Sequence, residues 1–323
     1  MNVFVTGGAG YIGSICVEEL LHAGHQVTVF DNLSEGHRSA VDPRAKFLLG
    51  ELGDAALLTR ALQESGAEAV LHFAAKALVG ESMERPEFYF QNNVCFGLNL
   101  LEAARAARVR KFVFSSTCAT YGPPERMPMT EDLPQRPINP YGESKLMFEK
   151  MLRWYHELHG LEFVAFRYFN AAGASGRFGE HHRIETHLIP NIFKVALGQS
   201  PNCQIFGTDY PTPDGTCIRD YIHIVDLAQA HILALTPGRQ GFYNLGNGDG
   251  YSVKQVIEAC ERISGKPIPA LEKPRRAGDP PKLVAGAAKA ITELGWKPRY
   301  PKLDEIVSTA WAWHVKHPQG YPD

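Results

Sequence analysis

No stretch of the chain stays apolar for the roughly 20 residues that a membrane-spanning helix needs, so no such helix is expected. Charge of one sign is not in excess. Thirty-three Lys and Arg stand against 35 Asp and Glu, a formal net charge of −2. That balance implies no polyanion partner, neither nucleic acid nor a membrane surface. The six cysteines, Cys16, Cys95, Cys118, Cys203, Cys217 and Cys260, form no C-x-x-C pair, and several fall in expected core elements. They read as reduced thiols. Histidine is frequent, but His22/His25 and His181-His182 lack the spacing of metal ligands. They read as surface histidines, and no metal is expected. Internal repeats and low-complexity segments are also missing. The first residues already read as a strand, which leaves no room for a signal peptide and points to a cytoplasmic protein.

What the chain does have begins at its start. The β-branched run Val3-Phe4-Val5 leads into Thr6-Gly7-Gly8-Ala9-Gly10-Tyr11-Ile12-Gly13, and Ile12, Ile15, Cys16, Leu20 and Leu21 then follow a helical period. Gly8, Gly10 and Gly13 fit G-x-G-x-x-G, and Gly7 adds the G-x-x-G-x-x-G spacing. Glycines here let the backbone turn sharply and approach a pyrophosphate, and the helix end offers free N–H groups and a partial positive charge. Gln26-Val27-Thr28-Val29-Phe30 reads as a second strand ending at Asp31. An acid at that distance suits the adenosine ribose of a dinucleotide. With no Arg directly after it, Asp31 favours NAD over NADP.

Helical and strand patterns then alternate. Residues 55–64 read as a helix, 69–73 as a buried strand, 88–107 as a long helix and 111–114 as a strand. A helix over 140–159 and a strand over 162–167 follow. Such alternation implies α/β architecture with a doubly wound parallel sheet. Beyond about residue 170 the texture changes to Gly-, Pro- and charge-rich loops at 173–182, 207–216 and 273–281. The expected organisation is an NAD-binding Rossmann domain over 1–170, with a return segment near 225–247, and a smaller mixed α/β lobe over 171–323. Within the return segment, 226–235 reads as a helix and 241–246 as an added strand. The end is helical over 303–316, with Ile306, Ala310, Trp311 and Val315 on one face.

Two further stretches carry chemistry. In Asn139-Pro140-Tyr141-Gly142-Glu143-Ser144-Lys145 the Asn suits a helix N-cap and the Pro the first helical position. Tyr141 and Lys145 then share a helix face. An ammonium near a phenol is expected to lower the phenol's pKa and make Tyr141 a usable acid or base. Ser115-Ser116-Thr117 directly follows the strand ending at Phe114, so its hydroxyls fall at the carboxyl edge of the sheet.

On these stretches the chain resembles the extended short-chain dehydrogenase/reductases and, within them, the UDP-glucose 4-epimerase family. The resemblance runs almost end to end. Its more specific marks are Asp209-Tyr210-Pro211-Thr212, Asp214-Gly215-Thr216, Arg219-Asp220-Tyr221-Ile222-His223, Arg275-Arg276-Ala277-Gly278-Asp279 and His317-Pro318-Gln319-Gly320-Tyr321. The resemblance implies a reversible oxidation at C4 of a UDP-hexose, a 4-keto intermediate, and hydride return to the opposite face, so that UDP-galactose and UDP-glucose interconvert on tightly held NAD.

It also implies roles. Thr117, Tyr141 and Lys145 would be catalytic. Gly7, Gly10, Tyr11, Ile12 and Gly13 would bind the pyrophosphate, and Asp31, Asn32 and Ser34 the adenosine ribose. Phe73, Ala74, Asn93, Lys145 and Tyr168 would line the nicotinamide side. Asn170, His187, Leu188, Phe206, Arg219, Tyr221, Arg276 and Asp279 would surround the UDP, with Thr117 and Tyr141 at the sugar. Glu51 stands where the family often has Asp near the adenine. Leu283 stands at the family's gate on sugar size, intermediate between the bulky Tyr of strict enzymes and the small residues that admit N-acetylated sugars. The resemblance further implies a homodimer formed through 88–107 and 141–159. The competing readings are an epimerase of UDP-N-acetylhexosamines or UDP-pentoses, a 4,6-dehydratase, and a non-catalytic NAD-binding protein. The dehydratase expects an Asp-Glu pair where this chain has Cys118-Ala119, and a non-catalytic protein tends to lose the Tyr or Lys.

Overall fold

The computed structural model describes residues 1–276 and 279–322. Ala277 and Gly278 of the Arg275–Asp279 run, and Asp323, lie outside the described residues. The first half supplies strands β1 (Asn2–Thr6), β2 (Gln26–Asp31), β3 (Lys46–Leu49), β4 (Ala69–His72), β5 (Lys111–Thr117) and β6 (Glu162–Tyr168), with helices α1 (Tyr11–His22), α2 (Ala55–Ser65), α3 (Val79–Glu84), α4 (Pro86–Tyr89), α5 (Phe96–Ala106) and α6 (Pro140–His159). The second half adds β7 (Asn170–Ala172), α7 (Leu188–Ala196), β8 (Cys203–Phe206), β9 (Ile218–His223), α8 (Ile224–Ala234), β10 (Gly241–Leu245), β11 (Gly250–Ser252), α9 (Val253–Ser264), β12 (Ala270–Lys273), β13 (Lys282–Leu283) and α10 (Leu303–Lys316).

One seven-stranded sheet, ordered β10-β6-β5-β4-β1-β2-β3, organises the molecule. All its pairings are parallel. Strands in such a sheet are covered on both faces, which is why β1 reads as a continuous apolar run. Val3 and Val5 pack with α1 and α8 through Ile15, Leu20 and Leu227. Phe4 points the other way, toward Leu58, Leu101 and Phe148 of α2, α5 and α6. Smaller sheets, β11-β9-β13 with β7 on β9 and the pair β12-β8, build the second lobe. Its core gathers Ile192, Phe193, Val256, Cys260, Ile306 and Val307 from α7, α9 and α10.

Helix limits follow local chemistry. Asn139 caps α6 by accepting from Gly142 N at 2.8 Å, with Pro140 in the first turn, and Gly160 ends it at φ +68°. Ser252 and Gln255 form a reciprocal cap on α9.

Four details depart from the sequence reading. The chain between β2 and α2 contains a strand, β3, that had no expected counterpart. The helix expected over 88–107 is interrupted by a π-helical turn at Phe90–Cys95. Strand β5 runs three residues further than expected, so Ser115, Ser116 and Thr117 lie in it rather than after it. On α10 the buried face is Leu303, Ile306, Val307, Ala310 and Trp313; Val315 is exposed. The helix expected over 226–235 and the strand expected over 241–246 are present as α8 and β10, the latter parallel to β6 at the sheet edge.

Candidate active site

The carboxyl ends of β1, β2, β4, β5 and β6 face one crevice. β1 lies between β2 and β4, so the chain departs in opposite directions on either side of it, the place where such sheets bind ligands. The turn after β1 is shaped by steric necessity. Gly7 has φ +74°, and a Cβ there would sit 2.5 Å from Ala74 N. A Cβ on Gly13 would lie 2.1 Å from Gly7 O. Gly10 caps α1, whose first N–H groups (Tyr11, Ile12, Gly13) have no partner within the helix and present its positive end. Asp31 pins this turn to β2, accepting from Ala9 N at 3.0 Å and Leu33 N at 2.8 Å. Burial raises its pKa, and those two bonds oppose the rise. Asn32 accepts from Ser34 N at 3.0 Å, and Glu51 is exposed beyond β3. A glycine cradle that no Cβ can enter, a helix end and an acid on the next strand together fit a dinucleotide such as NAD.

The far wall of the crevice is firmly built. The Phe73 ring lies 5.0 Å from that of His231. Asn93, in the π-helical turn, bonds both Lys76 backbone groups and donates to Ser144 Oγ at 3.0 Å, which ties residue 76 to α6. Tyr168 Oη bonds Ser115 Oγ. The Tyr11 hydroxyl points away from the turn and donates to Gly173 O at 2.7 Å.

Thr117 ends β5, and Tyr141 and Lys145 stand one helical turn apart on α6. Lys145 is 3 % exposed, donates to Ser115 O at 2.8 Å, and lies 6.0 Å from the Tyr141 ring centroid. Burial pulls its pKa down to about 7, against a smaller upward pull from Glu149. Burial pushes Tyr141 up to about 12, and a hydrogen bond with Thr117 acts the other way. The expected lowering of the phenol's pKa by Lys145 is therefore not found in the chain alone. The same burial that disfavours a phenolate also disfavours the ammonium that would stabilise it.

The Lys145 shift has a measurable consequence. Between pH 7 and about 10.4 residue 145 holds fewer protons folded than unfolded, so raising the pH stabilises the fold there. From pH 7 to pH 9 the cofactor-free protein should gain about 2 kcal/mol more than a Lys145→Met variant. Urea titrations at the two pH values measure this, and equal gains in both proteins would remove Lys145 as the cause.

Behind these residues lies a network that the sequence reading missed. Glu149, one turn beyond Lys145, is gripped by Arg167 Nε at 2.9 Å and Nη2 at 2.7 Å and accepts from Ser116 Oγ at 2.6 Å. Arg167 Nη1 donates to Tyr121 Oη at 2.9 Å, which donates to Asn244 at 2.7 Å. Its signal in the sequence was a charged residue inside the apolar run of β6 and an acid four residues after Lys145.

Across the crevice, β9 and its neighbours hold the remaining predicted residues. Asn170 donates to Asp220 O at 2.9 Å. Tyr221 is buried. Arg219 pairs with Asp279, and the Arg276 guanidinium lies 4.1 Å over the Phe206 ring. Leu188 opens α7. The His187 ring turns onto Glu185 at 2.9 Å and Glu180 at 3.3 Å. Burial pushes His187 down, but these carboxylates outweigh it and hold it up at about 9. Leu283 pairs opposite Arg219 and packs beside Tyr121, Met129 and Phe169. Asp220, which sequence reasoning also missed, accepts from the backbone N–H of Asn247, Gly248 and Ala285 at 2.9–3.0 Å, and burial raises its pKa to about 6.

Comparison with known proteins agrees with this geometry. Residues 3–246 match the NAD dependent epimerase/dehydratase family. The chain is 52% identical to a UDP-glucose 4-epimerase of Halalkalibacterium halodurans, over 99% of this chain and 98% of that one. It is similar to the crystal structure of UDP-glucose 4-epimerase from Brucella ovis in complex with NAD (46% identity, 97% and 98% covered, TM-score 0.93). It is also similar to that from Bifidobacterium longum in complex with NAD+ and UDP (40% identity, 99% and 100% covered, TM-score 0.95).

Proposed function

The chain belongs to the NAD dependent epimerase/dehydratase family, and from that premise we infer that it interconverts UDP-galactose and UDP-glucose, an isomerase with bound NAD. The observation that carries this reading is the meeting of Thr117, Tyr141 and Lys145 at the carboxyl end of β5, beside a turn built for a pyrophosphate. When bound, NAD would supply a hydride acceptor and donor and a positive charge.

The residue roles follow from the chemistry. Tyr141 takes the proton from the C4 hydroxyl and returns it. Thr117 bonds the same oxygen and relays the proton. Lys145, anchored on Ser115 O, holds the nicotinamide ribose. Gly7, Gly10, Tyr11, Ile12 and Gly13 hold the pyrophosphate; Asp31, Asn32, Ser34 and Glu51 hold the adenosine end. Phe73, Ala74, Asn93 and Tyr168 line the nicotinamide. Asn170, His187, Leu188, Phe206, Arg219, Tyr221, Arg276 and Asp279 hold UDP, with guanidinium forks suited to phosphate oxygens. Strong binding through UDP and weak sugar contacts let the 4-keto sugar turn while it stays anchored.

In this reading residues 1–170 with 225–247 bind NAD, and 171–323 bind the UDP-sugar. Mixing the purified protein with UDP-galactose, with no coenzyme added, tests the reaction. UDP-glucose should form. Bound NAD without conversion would redirect the reading to another UDP-sugar.

Leu283 bears on the range of sugars. A Leu283→Tyr change should lower turnover of UDP-N-acetylgalactosamine relative to UDP-galactose by about tenfold or more, since a filled pocket rejects added atoms. An unchanged ratio would take residue 283 out of the gate. We further assign a homodimer formed through α5 and α6, whose Leu98, Met147, Trp154 and Leu158 are exposed apolar side chains. A sedimentation mass of a single chain would overturn it. The free cysteines fit the cytoplasm, and thiol titration of the denatured protein should find all six.

A further inference from the structure

At the edge of the crevice, the loop that leads into α7 gathers four metal-ligating side chains that the sequence reading had not connected, among them His187. Glu180, His182, Glu185 and His187 each offer one ligand atom, and these atoms lie within 4.8 Å of one another. His187 Nδ1 is 2.9 Å from Glu185 Oε1 and 3.3 Å from Glu180 Oε1, and His182 Nε2 is 3.2 Å from Glu180 Oε1. The two carboxylates form a floor withdrawn from water, with side-chain exposures of 5% and 3%. The two imidazoles stand above them, 29% and 48% exposed, with ring centroids 4.7 Å apart.

Two buried carboxylates this close repel each other unless a cation sits between them. Among the described residues the ion pairs made by these acids are all with the two histidines. A proton on a carboxylate or an imidazole relieves this repulsion, and so does an ion ligated by the two ring nitrogens. We propose that Glu180, His182, Glu185 and His187 form a binding site for one zinc ion.

Donor chemistry and geometry both favour zinc. Two imidazole nitrogens and two carboxylate oxygens make a four-ligand set of the kind zinc accepts, whereas magnesium and calcium prefer all-oxygen shells of six or more. Four donors at about 2.0–2.2 Å from one ion, at tetrahedral angles, stand roughly 3.3–3.6 Å apart. The 2.9, 3.2 and 3.3 Å separations, within an overall spread of 4.8 Å, reach that arrangement through side-chain rotation. The neighbouring His181 is committed elsewhere: it stacks on His37 at 4.6 Å and accepts from Tyr321 N at 3.2 Å. Four of the eight residues from 180 to 187 enter the cluster, in the pattern E-x-H-x-x-E-x-H, which a search for histidine and cysteine spacings alone passes over.

The ion's role would be positional. His187 is the residue that leads into α7. His182 meets the edge of Tyr11 at a centroid distance of 6.0 Å, and Tyr11 begins α1 just after the glycine turn. One ion would thus tie the start of α7 to the cofactor turn and stiffen the border between the two binding regions. His187 is shared with the UDP-binding reading above, so the test reads metal content rather than activity, and its failure is distinguishable from the failure of that reading.

The full-length protein with its retained NAD is treated with EDTA, reloaded with ZnCl2, passed through a desalting column and assayed for zinc by mass spectrometry. The wild type should hold one zinc per chain and melt at a higher temperature than the stripped protein. Loading with CoCl2 should give the intense visible absorption of a tetrahedral site. His182→Ala, which alters a partly exposed ring, and Glu180→Gln should each lose the zinc, the absorption and the zinc-dependent rise in Tm. Circular dichroism and NAD content verify that each variant is folded, and His182→Ala carries the test should Glu180→Gln fail to fold. A wild type that keeps no zinc, or a folded His182→Ala that keeps as much as the wild type, would overturn the site.

Discussion

Replacing Tyr141 by Phe is expected to lower kcat by about 10²–10⁴-fold while the protein keeps its NAD. The phenol hydrogen-bonds Thr117 at the end of β5, and the change removes a single oxygen from its ring. The glycine turn, Asp31 and the first turn of α1 are untouched, so cofactor content should match the wild type. Burial holds the phenol near 12 in the chain alone, and Lys145, drawn down to about 7, is the neighbour that could take its place. Lys145 is committed to Ser115 O, and Thr117 has no pKa in the working range. Turnover and the absorbance of bound NAD, measured on one preparation, decide the point. Activity within tenfold of wild type would move the proton transfer to another residue. Loss of activity together with NAD would show that Tyr141 acts through binding.

The second large effect concerns stability. Glu149→Gln is expected to cost about 3–5 kcal/mol, measured by urea unfolding at pH 7. Arg167 and Glu149 have side-chain exposures of 2% and 1% and share two hydrogen bonds. Neutralising one partner leaves the other charge buried and unpaired, and that desolvation, rather than the lost attraction, sets the magnitude. Replacing both, as Glu149→Leu with Arg167→Met, should cost much less than Glu149→Gln alone, because no orphan charge remains. A single change costing under about 1 kcal/mol would mean that water reaches the pair. Because Glu149 also supports the charge on Lys145, the single change should in addition shift the pH dependence of turnover, which a purely structural pair would leave alone.

Local features could be read from the sequence. The glycine turn, Asp31, the capped start of α6 with Tyr141 and Lys145, and the return strand β10 all rest on short-range periodicity or on sterically required residues. Strand β3 could not be read, because Lys46-Phe47-Leu48-Leu49 is short and becomes a strand only through its partner, β2. The π-helical turn at Phe90–Cys95 was hidden because its apolar spacing still resembles an α-helix. Glu149 with Arg167, Asp220 with the backbone of 247, 248 and 285, and the cluster around Glu180 escaped for another reason. Each joins a charged residue, ordinary in its own segment, to a partner or a burial that only the fold supplies.

The strand β10 closes the sheet beside β6, and that has a consequence for how the protein is made. On a ribosome the chain emerges from its N-terminus at about 5–20 residues per second. Strand β6 is therefore finished seconds before β10 exists to cover it. During that interval a nearly complete parallel sheet presents an open edge with Phe163, Val164 and Ala165 in it, the type of edge that pairs with other nascent chains. A polypeptide cut near residue 170 would keep that edge permanently. It would be expected to aggregate instead of behaving as an independent cofactor-binding unit.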